Sequence, residues 1–116
     1  MMDWTNLAFL IPFVSAPVYI IAGLIMIKFP PKTINNAYGY RTPKSVRSQQ
    51  RWDFAQKYSS KQMIIWGFVM LIAGLLSSYI HTRSGIEFII GMAILLIFTA
   101  IPIALTERQL KKNFRF

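Results

Sequence analysis

The chain has 116 residues, 54% of them hydrophobic and 15% charged, with a formal net charge of +9. That balance is too apolar for an ordinary soluble domain of this length. With no cysteine there is no disulfide framework, thiolate nucleophile or Cys-based metal site, and a lone His81 builds neither a histidine metal cluster nor a bis-His haem site, so no metal or cofactor is expected.

The first element is Leu7 to Ile27, 21 residues without a charge. Roughly 20 apolar residues cover a hydrocarbon core of about 30 Å, so this stretch reads as a transmembrane helix. Met1-Met2-Asp3 lacks the positive start of a signal peptide, and Pro17 spoils cleavage after Ala16, so the span is expected to be retained. Pro12 and Pro17 lie within it, where proline is tolerated in membrane helices.

The second element is the loop Lys28 to Lys61. Pro30-Pro31 stops the first helix, and Gly39, with Asn35 and Asn36 nearby, marks a tight turn. Thr42 at N-cap and Pro43 at N1 predict a helix from about Pro43 to about Tyr58. On that helix Arg47, Arg51, Phe54 and Tyr58 form one stripe. Two arginines and two aromatics suit a helix lying flat at headgroup level, and equally one packed on the inner mouths of the spans.

Met63 to Ile80 and Phe88 to Leu105 are further uncharged runs of 18 residues each, the last extended by Ile86 across Glu87. Gly74 and Ser78 have the spacing that lets helices approach closely, and Trp4, Trp66 and Tyr79 lie near span ends, where interfacial aromatics belong. The expected architecture is therefore all-α: one membrane domain over residues 1–116, with spans at about 7–27, 63–80 and 86–105. A cytoplasmic motif loop and interfacial helix occupy 28–61, and a basic tail 106–116.

Charge predicts the orientation. Residues 28–61 carry eight Lys/Arg against Asp53 alone, the tail carries four more, and the second loop has only Arg83. The positive-inside rule then places the N-terminus outside and the long loop and C-terminus inside. An anionic inner leaflet accounts for the basic charge, so no nucleic-acid partner is needed. The span cores hold no ionisable residue of the kind that marks a proton relay or transporter path. The four acids Asp3, Asp53, Glu87 and Glu107 are scattered, and no Ser-His-acid set is visible, which disfavours an enzyme.

The run Asn35-Asn36-Ala37-Tyr38-Gly39-Tyr40-Arg41-Thr42-Pro43, followed by Ser45, Trp52, Ala55 and Lys61, resembles the SdpI family of bacterial membrane proteins. The order of span, motif loop, span, span matches as well, over roughly residues 7–106. The chain departs from the family pattern at Gln49, Gln50 and Arg51, where acids are common before the Trp, and at Ser60, where Gly is common. The family is named for an immunity protein that guards its producer against a secreted toxic peptide. That protein is longer, with additional spans, and also holds a transcriptional repressor at the membrane. The resemblance implies a protein of the bacterial inner membrane that confers resistance to a membrane-active peptide.

The residues singled out are Asn35, Tyr38, Gly39, Tyr40, Arg41, Thr42, Pro43 and Trp52, with Arg41 foremost because a guanidinium beside a turn bonds loop carbonyls or grips a headgroup. Three functions are weighed. The first is binding-based protection against a toxic peptide. The second is an interaction subunit that docks a soluble cytoplasmic regulator or larger complex through Arg47, Arg51, Phe54 and Tyr58. The third, weakest for lack of acids, is an enzyme using Asn35, Arg41 and Asp53. Three spans leave helix surface for a homodimer.

Overall fold

Asn6 starts the first helix and ties it to the second. Its Oδ1 accepts from the Ala8 N–H at 2.8 Å, which caps the helix. Its Nδ2 donates to the carbonyls of Ser77, the last residue of the second helix, and Ile80, just beyond it, at 2.9 and 2.7 Å. One fully buried side chain thus serves two helix termini.

The computed structural model describes residues 5–114, so Asp3, Trp4 and Arg115 lie outside the described residues. Three helices form: α1, Leu7–Lys28, α2, Gln49–Ser77, and α3, Ser84–Asn113, with no strand among the described residues. Each is long and apolar enough to cross a membrane. Exposed Val18, Ile21, Phe68, Ile72, Ile89 and Leu96 cover the outside, as expected of helices whose solvent is lipid.

α1 and α2 pack most extensively. Small residues let them meet: a Cβ added to Gly67 would stand 2.6 Å from Ile20, and one on Gly74 would stand 3.2 Å from both Pro12 and the Phe13 nitrogen. Gly74 therefore serves packing within the chain. α3 closes against both helices. Its Gly91 is so near α1 that a Cβ would lie 2.6 Å from the Leu7 carbonyl oxygen.

The loop-side helix is a correction to the sequence reading. No separate interfacial helix exists over 43–58. Thr42 does cap a turn, since its Oγ1 accepts from the Ser45 N–H and its carbonyl from the Val46 N–H, but the turn ends there. Ser45 Oγ instead bonds the backbone of Thr42 and Tyr40, a local alternative to helix extension. Ser48 is the true N-cap, its Oγ accepting from the Arg51 N–H. From Gln49 the helix runs unbroken into the span, because no proline or glycine interrupts it before Gly67. Ser59 and Ser60 bond back to the carbonyls of Gln56 and Lys57 inside the helix, so Ser60 makes no turn.

α3 likewise continues past Leu105. At about 1.5 Å per residue, α2 and α3 are each about 45 Å long, well over a 30 Å core. At the loop end both helices run past their uncharged stretches, and the loop, residues 29–48, is bonded to those ends through Trp52, Gln56 and Glu107.

The predicted stripe is also redrawn. Arg47 precedes the N-cap, so it is not on the helix with Arg51, Phe54 and Tyr58. Phe54 stacks on Tyr58 at 5.8 Å and meets Phe114, beyond the end of α3, edge-on at 5.5 Å. The Arg51 guanidinium lies 5.2 Å from the same Phe114 ring. These rings join α2 to the end of α3.

Candidate functional site: the motif loop and the cavity beneath it

The motif is held by bonds from all three helices. Asn35 begins it with an Asx turn: its Oδ1 accepts from the N–H groups of Ala37 and Tyr38, at 2.9 and 2.7 Å. The Tyr38 hydroxyl donates to the Phe29 carbonyl at the end of α1, at 2.5 Å. Gly39 then turns the chain at φ +112°, a conformation L side chains avoid, and a Cβ there would also stand 2.6 Å from Gln56 Oε1.

That contact marks the second anchor. The buried Gln56 of α2 pairs with the backbone of Tyr40 on both sides: Oε1 accepts from the Tyr40 N–H and Nε2 donates to its carbonyl, each at 2.6 Å. Trp52, one turn earlier and fully buried, donates its indole N–H to the Pro31 carbonyl at 2.6 Å. Gln49 reaches the Lys32 carbonyl at 2.6 Å. Gln49, Trp52 and Gln56 lie on one face of α2, three and four residues apart, so a single helix face grips the loop at three points.

The third anchor is Glu107 on α3. One carboxylate oxygen, Oε2, accepts from the Tyr40 hydroxyl at 2.8 Å and the Thr42 hydroxyl at 2.9 Å. Burial first, and then the hydrogen bond to the Glu107 carboxylate, push the Tyr40 phenol far above its ordinary value of 10.0, so it stays a donor. Arg41, between these two donors, is exposed, and its guanidinium donates to the Asn36 carbonyl within the motif. Pro43 is exposed at the start of the short turn. Of the singled-out residues, Trp52, Tyr40 and Thr42 are thus anchors, whereas Arg41 presents its side chain at the surface.

Beneath this loop lies a cavity of about 430 Å³ between the three helices, with Tyr38, Gly39 and Tyr40 forming its end wall. Its sides include Met26, Met63, Trp66, Phe98 and Ile103. Tyr19 and Thr99, also on its lining, are hydrogen-bonded to each other at 2.6 Å across α1 and α3. Such a space takes apolar side chains or an acyl chain. Among the described residues no three His, Asp or Glu side chains gather to hold a metal.

Glu107 and Gln56 were not singled out from the sequence. Glu107 carried one signal, as the sole acid in the segment after Leu105, just where that segment leaves the span. Gln56 carried none that set it apart from Gln49 and Gln50.

Three long apolar helices and a hydrogen-bonded loop at one end define a small multi-pass membrane protein. Residues 32–106 match the SdpI/YfhL protein family. The chain is 40% identical over 98 residues to "Uncharacterized protein YfhL" of Bacillus subtilis (strain 168), covering 84% of each chain. The chain belongs to the SdpI/YfhL family. No solved structure matches it. The matched segment holds the motif, α2 and most of α3, and ends one residue before Glu107.

Proposed function

We propose that this protein is an immunity protein of the cytoplasmic membrane that protects against a membrane-active toxic peptide by binding, without catalysis. Family membership supports the immunity role. The observation that carries the binding reading is the apolar cavity under the motif: it lies among the uncharged stretches of the three helices and is walled at one end by family-motif residues. A membrane-active peptide is rich in the apolar side chains such a space accepts.

The test is a toxin-challenge panel in a sensitive strain. Wild-type expression should raise the tolerated peptide concentration, and Arg41→Ala should abolish the gain at equal membrane levels. Arg41 is exposed and bonds one loop carbonyl, so its loss should cost no more than about 1 kcal/mol of stability. Loss of protection would then reflect lost recognition. Unchanged survival of cells carrying the wild type would reject the reading.

In this reading the N-terminus lies outside and the motif loop and C-terminus inside, following the charge asymmetry. The chain has no cysteine, so single reporters are clean. In intact cells a membrane-impermeant maleimide should label Arg83→Cys and leave Lys111→Cys unlabelled until the cells are opened. The reverse pattern would invert the topology. Docking of a cytoplasmic regulator is the alternative, but Phe54 and Tyr58 are engaged within the chain.

A further inference from the structure

A second cavity, of about 460 Å³, lies between the end of α1, the start of the loop and the loop end of α2. Its floor is apolar, with Met26 and Ile27 from the last turn of α1 and Pro30 just beyond. Its rim is basic: Lys57 and Lys61, one turn apart on α2, face Lys32 from the loop. All three lysines are exposed, and among the described residues none of their ammonium groups has an ion-pair partner. Asp53 is the one acid on the rim, and its Oδ1 already accepts from Gln49 at 2.8 Å.

The level of this cavity decides what fits. α1 ends at Lys28, and the uncharged run of α2 begins at Met63, so the cavity stands where hydrocarbon gives way to headgroups. Three unpaired cations around one space repel each other until an anion enters. An apolar floor that leads into the span excludes a fully solvated ion and suits an acyl chain. A carboxylate at the edge suits a hydroxyl donor beside the anion.

We propose that this cavity is a binding site for an anionic phospholipid. The phosphate sits among Lys32, Lys57 and Lys61, the first acyl segment runs along Met26 and Ile27, and Asp53 accepts from a headgroup hydroxyl. The site shares Met26 with the cavity under the motif but is otherwise lined by different residues, and it does not depend on the immunity reading.

The test uses the full chain in phosphatidylcholine bilayers with trace spin-labelled phosphatidylglycerol or phosphatidylcholine, reading the protein-restricted fraction of each. The wild type should prefer phosphatidylglycerol. The triple variant Lys32→Gln/Lys57→Gln/Lys61→Gln should lose that preference by about tenfold or more, from the contribution of each basic residue near an anionic surface. A matched variant, Arg108→Gln/Lys111→Gln/Lys112→Gln, should keep it, and so should the triple Lys→Arg variant. Three results would overturn the proposal: equal restriction of both lipids by the wild type, an equal loss in the two Gln variants, or displacement by millimolar inorganic phosphate. The second would mean diffuse surface charge, and the third a free-phosphate site.

Discussion

Trp52→Ala should destabilise the protein by about 3–5 kcal/mol, the range for removing a buried aromatic from a packed site. The indole is fully buried and also donates to Pro31, so the variant loses packing and leaves a carbonyl without its donor. Denaturation in mixed micelles, followed by helical circular dichroism, measures this. Trp52→Phe should recover most of the packing and retain only the smaller cost of the lost hydrogen bond, about 1–3 kcal/mol. Protection should fall in parallel with stability. A Trp52→Ala protein that loses protection at wild-type stability would instead make Trp52 a contact for the bound peptide, which its burial argues against.

Glu107→Ala should be the next most damaging change, because one carboxylate oxygen satisfies two hydroxyls. Net values for hydrogen bonds to a charged group are about 1.5–3 kcal/mol. Glu107 is only half-buried, so water replaces part of the loss and a cost of about 2 kcal/mol is expected for the pair. Glu107→Gln keeps an acceptor oxygen in place and should cost about half as much, since only the charge assistance is removed. The functional effect should exceed the thermodynamic one, because freeing Tyr40 loosens the end wall of the cavity.

The same contact predicts a dependence on alkaline pH. The Tyr40 phenol holds its proton more tightly folded than unfolded, so its contribution to stability is complete below the unfolded value of 10.0. It should decline as the pH rises above that value. Tyr40→Phe should remove this part of the alkaline slope. An unaltered slope in Tyr40→Phe would show that the phenol does not carry it.

The motif was legible as an ordered element for local reasons. Asn35 forms a turn with its own neighbours, Gly39 sits at positive φ, and Thr42 caps the next turn. The departure at Thr42-Pro43 is local as well, but the capping pair alone does not decide it. A Thr-Pro pair starts a turn, and whether that turn grows depends on competing bonds from Ser45 and on Ser48 as a rival cap. Both readings of the aromatic stripe assumed a separate helix lying flat on the cytoplasmic face, and the continuity of α2 removes that assumption. A helix that cannot bend between Tyr58 and Met63 must carry Phe54 upright, against Phe114.

The sequence by itself determined three spans, the separation of charge between the two loops, the turn at Gly39 and the family. Hydropathy, net charge and backbone conformation are properties of short stretches, so they can be read without knowing what lies opposite. Tertiary structure alone decided that Glu107 receives Tyr40 and Thr42, that Gln56 pairs with the Tyr40 backbone, and that Asn6 caps two helices. These partners are separated by 67, 65, 16 and 71 residues. Each pairing depends on the rotation and register of one helix against another, which the close approach at Gly67, Gly74 and Gly91 sets. The two cavities follow from the same packing, because they are the spaces that the three helices and the anchored loop leave between them.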